Sequence, residues 1–368
     1  MPTCGPATST PAAGRRSAPT RRRWSATGRP GLRGMPWVST TSSGTTPITI
    51  PPAGDSRTTC GATKPGGTTR WRSTPPIRCE RLPAAEDQMI ASDIQAMLAR
   101  TSVRSYRDGG IEPVVLDELR DLVQRPSTGP FGNRVRFALV GQGRAAQGGA
   151  RRLGTYGVIR GASHYLAAAV PAAPHAMEDL GYCMEEAVIS CTKLGLGTCW
   201  LGGSFDRTGF ARAVGLRDGE VLPCVSPVGC PADRRGLVDR MTRAMAGSDG
   251  RKPWDRLFFE GDADHPMAED DADPLHGVLR CVRAAPSASN RQPWRIVRDA
   301  SGALHLYLAR TRGYGRWFPG VDLQLIDMGI AMCHLSLAAA ELGMRGSWLQ
   351  AKPRPGGADL EYIASWIQ

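Results

Sequence analysis

The sequence is poor in the features that usually disclose a function. Ten cysteines are spread over 368 residues, too thinly for a disulfide-framed scaffold. No stretch of 18 or more uninterrupted apolar residues occurs, which argues against a transmembrane helix. No charged start leads into an apolar core segment, which argues against a secretory signal. His164, His175, His265, His276, His305 and His334 show no metal-ligand spacing, and His334 lies in an apolar helical run where a packed core histidine is expected. Cys183, Cys191 and Cys199 stand eight residues apart and make no CxxC redox pair, while Cys224 and Cys230 lack zinc spacing. A G-x-S-x-G elbow and a phosphate-binding P-loop are missing too. Esterase-type nucleophiles, P-loop nucleotide hydrolysis and an obvious metal centre are thereby set aside.

Acidic residues are scarce only at one end. The formal net charge is +12, a balance that usually suggests nucleic acid. Residues 1–85 contain only Asp55 and Glu80 as acids, against basic clusters such as Arg15-Arg16 and Arg21-Arg22-Arg23. The remainder is close to neutral, so the charge says little about the longer part. Prolines, Thr/Ser pairs and Pro75-Pro76 crowd the first 85 residues without helix or strand periodicity. Such a stretch buries too little apolar surface to offset its ordering entropy. It reads as a disordered extension. Three origins fit: a basic tail touching nucleic acid or membrane, an extension with no role in function, or sequence upstream of the true start. Met89, just before the first amphipathic helix, is the alternative start.

Residues 86–368 carry the periodic signal. Met89, Ile94, Met97 and Leu98 share a helical face that runs to Arg100. A second helix is predicted over Val114–Val123, followed by a turn-rich loop, Pro126–Gly132, and a strand over Arg134–Val140. His164–Val170 and Val221–Gly229 are predicted strands. Ala176–Leu194 is a long helix closed by Gly195 and Gly197, and Phe210–Val214 a short one. Gly148–Gly161 is irregular, and Arg234–Met245 is a connecting helix. Gly247–Pro274 reads as an internal linker with a solvated acidic end. A helix over Leu275–Arg283, strands over Trp294–Asp299 and Ala303–Ala309, an apolar helix over Leu325–Leu342 and a strand over Leu360–Ile367 complete the pattern.

An internal repeat emerges at an offset of 148. Asp179, Gly181, Leu194, Gly195, Trp200 and Leu201 coincide with Asp327, Gly329, Leu342, Gly343, Trp348 and Leu349. Both halves run helix, Pro-Ser loop, strand, long helix, Gly-Trp turn. A duplicated α+β unit burying one face against its copy would behave as a homodimer fused in one chain. The boundaries read as 86–260 and 275–368.

Three segments could carry chemistry. Arg100-Thr101-Ser102-Val103-Arg104 sets two guanidiniums around hydroxyls, which suits a phosphate; a helix end favoured by its dipole would look the same. Pro286-Ser287-Ala288-Ser289-Asn290-Arg291-Gln292-Pro293-Trp294 is a proline-restrained loop of short donors and acceptors; an ordinary turn before a strand is the alternative. Leu194–Gly203 is glycine-rich and permits close backbone approach, or caps a helix ahead of a buried strand. Its spacing is not a dinucleotide fingerprint.

Taken together, these segments and Ile326–Leu335 resemble the flavin-dependent nitroreductase family, in its branch with two fused half-units in one chain. The resemblance covers about residues 95–368. It implies an α+β nitroreductase-like fold, an intrachain pseudo-dimer with mixed sheets and long central helices. It implies FMN at the junction, with Arg100, Ser102 and Arg104 on the phosphate and Arg234 or Arg235 as a late basic contact. Pro286, Ser287, Asn290 and Gln292 would contact the flavin from the opposite half. Leu201, Gly202 and Gly203 would run beside its reactive edge. The implied reaction moves a hydride from NADH or NADPH through FMN to a nitroaromatic, quinone or similar small acceptor; an FMN-binding carrier or sensor is the alternative. The second half has only Arg280 and Arg283 where a mirror phosphate grip would lie, so one FMN per chain is expected. The same reading implies a cytoplasmic protein, a pseudo-dimeric monomer or higher homo-oligomer, without nucleic-acid or membrane partners. Intact-mass measurement on the natively produced protein tests the start: a chain beginning at Met89 removes the basic segment, and a full-length mass retains it.

Overall fold

The computed structural model describes residues 92–141, 154–233, 250–312, 314, 320–351, 357 and 359–368. The readings of residues 1–85, of Met89 and of Arg234–Met245 lie outside them. Six α-helices are described: α1 (Asp93–Ala99), α2 (Pro113–Gln124), α3 (Ala176–Lys193), α4 (Arg207–Ala213), α5 (Pro274–Ala284) and α6 (Leu323–Glu341). Their starts follow capping chemistry. Ser92 accepts from the Gln95 N–H at the head of α1, and Asp322 accepts from the Gln324 and Leu325 N–H groups at the head of α6. Asp273 caps α5, with Pro274 at its first position.

The two long helices end identically in hydrogen bonding. After α3, Gly195 donates to Thr192 and Leu196 to Cys191; after α6, Gly343 donates to Ala340 and Met344 to Ala339. Both pairs make a Schellman cap, with the glycines at φ 72° and 75°. Every residue in one cap lies 148 positions from its counterpart, so the sequence repeat is a structural one.

Each half also builds a five-stranded sheet. The first contains β1 (Ser127–Thr128), β2 (Arg134–Gly141), β3 (His164–Pro171), β4 (Gly197–Thr198) and β5 (Glu220–Gly229), in the order β1-β2-β3-β5-β4. The second contains β6 (Phe258–Glu260), β7 (Trp294–Arg298), β8 (Leu304–Ala309), β9 (Ser347–Leu349) and β10 (Leu360–Ile367), in the order β6-β7-β8-β10-β9. All neighbours are antiparallel except β6 and β7, which run parallel. Among the described strands, the parallel pairing lies in the second sheet, and the first sheet gains a parallel bridge from Ser102 to Thr198 of β4.

Between the sheets α3 crosses α6, and the crossing is self-complementary. A Cβ built on Gly181 would overlap the Ile326 carbonyl oxygen, and one built on Gly329 would overlap that of Glu178. These two contacts exchange under the 148-residue offset, as an isologous interface requires. The main core draws on both halves, with Leu180 and Met184 from α3, Met328 and Met332 from α6, Val278 from α5 and Trp294 from β7. This explains why α6 is apolar all round. By length and composition α6 could cross a membrane, but 72% of its most apolar window is buried within the protein. A central core helix carries the same signal.

The reading of Gly247–Pro274 as a linker needs correction. Residues 258–260, placed within the first half, pair with Ile296–Arg298 of β7. Residues 250–274 thus form a strap that carries the chain onto the second sheet. A three-residue strand is too short to register as periodicity, as are β1, β4 and β9. Gly329→Ala should lower unfolding stability by about 1–3 kcal/mol or more, because the added methyl meets backbone. Gly109→Ala, which has open space around it, should stay within about 0.5 kcal/mol of wild type. Equal denaturation midpoints for the two variants would contradict the crossing constraint.

Candidate functional site

The chain leaving α1 is held in extended form by the first half. Val103 donates its N–H to the Thr198 carbonyl at 2.8 Å, and Arg160 donates to the Arg104 carbonyl at 2.9 Å. Tyr106 returns to the Val103 carbonyl through its hydroxyl at 2.7 Å. The approach needs a glycine at 197, where a Cβ would lie 2.7 Å from Val103 Cγ2. Held this way, Arg100, Ser102 and Arg104 all face one cavity.

The opposite wall is the loop after α5. Ser289 and Asn290 have φ of 50° and 53°, and Gln292 has φ of 45°. Left-handed backbone at non-glycine residues costs of order 1 kcal/mol or more each and persists only where surroundings impose it. Here the surroundings are explicit. Asp327 Oδ1 accepts the Ala288 N–H at 2.9 Å, and Ser287 Oγ accepts the Gln292 N–H at 2.9 Å. Arg251 Nη1 donates to the Ala285 carbonyl and to Asn290 Oδ1, and Asn290 Nδ2 donates to the Gly250 carbonyl at 2.6 Å. Gln292 Oε1 accepts the Lys252 N–H at 2.8 Å.

Between these walls lies a cavity of about 590 Å³, within the range that takes a cofactor. Arg100, Ser102, Arg104, Gly202, Gly203, Pro286, Ser287 and Asn290 line it. Two residues singled out by sequence do not. Leu201 is 3% exposed and bridges Val225 through its backbone, packed in the core of the first half. Gln292 is 2% exposed and spends its amide on Lys252, Gly250 and Asn290. Arg234 and Arg235 lie outside the described residues. Sequence reasoning missed Arg251, Trp200, Tyr314 and Asp327, which also line the cavity. The basic pair Arg251-Lys252, just ahead of Pro253 and Trp254, was the available signal for the first.

Beneath the cavity a buried polar group joins the halves. Glu185 on α3 accepts from Trp200 Nε1 at 2.7 Å and meets His334 Nε2 of α6 at 3.0 Å. His334 Nδ1 faces the Cys281 carbonyl at 2.8 Å, so it must carry hydrogen. Arg100 Nε lies 3.8 Å from the Glu185 carboxylate. Arg100 Nε and Nη1 are nevertheless buried without a hydrogen-bond acceptor. His334 is a core histidine, as expected, and also the partner of Glu185 across the two halves. Cys224 in the wall is pushed up by burial and stays a thiol.

Asp327 differs from its repeat partner. Asp179 is fully used: Oδ1 accepts the Phe131 N–H, and Oδ2 accepts the Asn133 N–H and Nδ2, each at 2.8 to 2.9 Å. Asp327 has only Ala288 on Oδ1, and Oδ2 is buried without a partner. Burial holds its carboxyl well above the usual carboxylate range; the Ala288 N–H opposes this, and the nearby Asp322 carboxylate adds to it. Arg100 and Asp327 are the cavity-lining residues with such unpartnered atoms.

A repeated α+β unit closed about one helix crossing, with a basic cavity built from both copies, defines a fused pseudo-dimer of nitroreductase-like fold. The sequence model of the family described as "Putative TM nitroreductase" matches residues 93–339, more than half of the chain, and the chain belongs to that family. Among solved structures, a nitroreductase so described from Thermotoga maritima is 17% identical, covers 78% of this chain and 99% of its own, and has a TM-score of 0.48. A nitroreductase family protein from Clostridium novyi is 18% identical over 38% of this chain and 84% of its own, with a TM-score of 0.31. A nitroreductase with bound FMN from Desulfitobacterium hafniense is 14% identical over 39% and 90%, with a TM-score of 0.30. No curated protein matches the chain.

The raised carboxyl of Asp327 predicts a pH effect. The folded chain keeps a proton that the unfolded chain loses in the ordinary Asp range. The linked stability is complete below that range and is lost as pH rises through the folded-state value. Denaturant midpoints of wild type and Asp327→Asn should therefore diverge with pH above about 4, wild type losing ground as pH rises. A difference independent of pH would contradict the assignment.

Proposed function

We propose that this protein is an FMN-dependent oxidoreductase that passes a hydride from NADH or NADPH to a nitroaromatic, quinone or similar small acceptor. The observation that carries the reading is Arg100. Its guanidinium is buried, two of its nitrogens lack acceptors, and it faces a cavity whose far wall is a strained, clamped loop from the other half. A buried cation with unused donors suits an anionic ligand, and the cavity volume suits one of cofactor size.

The residues fit FMN by the chemistry of their donors. Arg100, Arg104, Arg251 and the Ser102 hydroxyl would hold its phosphate. Gly202 and Gly203 would let backbone approach the ring, and Ser287 to Asn290 would orient it from the second half. Leu323 and Ile330 line the same cavity and would exclude water from the ring. The flavin itself supplies the two-electron chemistry, taking a hydride from reduced nicotinamide and yielding it to the acceptor. No side-chain acid or base has to move a proton for that transfer.

One FMN per chain is expected. On the opposite side of the pseudo-twofold, Phe131 stacks on His175 with centroids 4.5 Å apart, and both Asp179 oxygens are occupied. The protein should purify yellow, or take up FMN to one equivalent per chain. NADH or NADPH should bleach it, and a nitroarene or quinone should restore the colour. Arg104→Ala should weaken FMN binding about tenfold or more, by loss of a charge-assisted contact. Binding without bleaching by either nicotinamide would favour the carrier or sensor reading, and two flavins per chain would refute the single site.

A further inference from the structure

The duplication contains its own control. Two aspartates at equivalent positions on α3 and α6 each receive a backbone N–H from the loop of their own half. In the first half that loop supplies enough donors to use both carboxylate oxygens. In the second half it supplies one, from Ala288. The remaining oxygen of Asp327 is buried without a partner, in a residue only 2% exposed that lines the cavity. Buried polar atoms without partners are rare in native proteins, and this one lines the ligand cavity.

Among the described residues no cation forms an ion pair with Asp327, although Arg100, Arg104 and Arg251 line the same cavity. The charge that bears most on the Asp327 carboxyl is the Asp322 carboxylate at the head of the same helix; the nearby Tyr314 hydroxyl is neutral, meets Ser289 Oγ at 3.0 Å and feels the Arg291 guanidinium. Asp322 is itself paired with Arg310 at 2.7 Å. A carboxylate in that place would be a buried charge beside a like charge. A carboxylic acid has one oxygen to accept the Ala288 N–H and one hydroxyl to donate.

We propose that Asp327 is a cofactor-contacting residue, donating a hydrogen bond from its Oδ2 hydroxyl to a carbonyl-type oxygen of the flavin ring in the cavity. This rests on the FMN reading above. The same side chain then serves two ends: Oδ1 fixes the left-handed loop, and Oδ2 fixes the ligand against it. The loop's geometry and the ligand's seat are coupled through one carboxyl group.

The test compares Asp327→Asn, Asp327→Ala and Asp179→Asn in the full chain, titrated with FMN and followed by quenching of flavin fluorescence. Asparagine keeps the acceptor for Ala288 and offers an N–H in place of the hydroxyl. Its FMN affinity should stay within about threefold of wild type, whereas alanine should lose about tenfold. Asp179→Asn should lower the melting temperature of the apo chain and leave FMN affinity unchanged. Infrared difference spectra of wild type and Asp327→Asn give a readout that does not depend on the alanine variant folding. Wild type should show a carboxylic-acid carbonyl band, missing from the variant, that shifts on adding FMN. A folded alanine variant with wild-type affinity, or a band insensitive to FMN, overturns the contact. Asparagine weakened as much as alanine overturns the donor role, since an accepting carboxylate would behave so. Wild type that binds no FMN overturns the flavin reading and this inference with it; binding that is normal in every variant overturns this inference alone.

Discussion

At the crossing of α3 and α6 neither helix has room for a side chain. Gly181 lies against the Ile326 carbonyl and Gly329 against that of Glu178, so the two backbones are in contact and their separation has little freedom. Everything else is referred to that distance. It sets how the two sheets face each other, which apolar residues interdigitate, and how wide the cavity is between the Arg100 strand and the Ser287 loop. Close-packed interiors transmit such constraints because they have little slack. Glu185 and His334, one from each helix, add a polar tie on the cavity side of the crossing.

A fused pair can do what two identical subunits cannot: its halves can diverge. The Schellman caps, the crossing glycines and the sheet order have stayed alike. The loops have not. In the first half the loop is satisfied by Asp179, and Phe131 lies stacked on His175. In the second the loop adopts left-handed backbone, is clasped by Arg251 from the strap, and leaves an Asp327 oxygen buried without a partner in a residue that lines the cavity. Strain and an unpartnered polar atom are costs that a folded protein retains where a ligand repays them. The mirror side has a left-handed residue too, His175, and an unpartnered Glu178 oxygen, but there the Asp179 carboxylate is fully used by its loop.

Much of this was legible in sequence. The long helices were readable from apolar periodicity and closing glycines, and their recurrence 148 residues apart announced the duplication. Arg100, Ser102, Arg104, Pro286, Ser287 and Asn290 were recognisable in two of the three motifs, and all six line one cavity. Leu201 and Gln292 fall outside the cavity lining for the same reason: membership in a motif says nothing about which way a side chain points. Along a strand the direction alternates, and Leu201 turns into the core. Gln292 follows two left-handed residues, and that backbone turns its amide towards the strap.

Sequence alone therefore determined the local elements, their duplication and the residue types available for chemistry, because periodicity, caps and glycines act over a few residues. Only the tertiary structure decided which of those residues meet. Arg251 reaches the site because the strap crosses to the second sheet, and β6 holds it there by pairing with β7. Asp327 and Asp179 occupy equivalent places in the repeat, yet one is closed by its loop and the other is left open. That difference depends on how many N–H groups a distant loop brings within hydrogen-bond reach, a property of the folded chain in three dimensions.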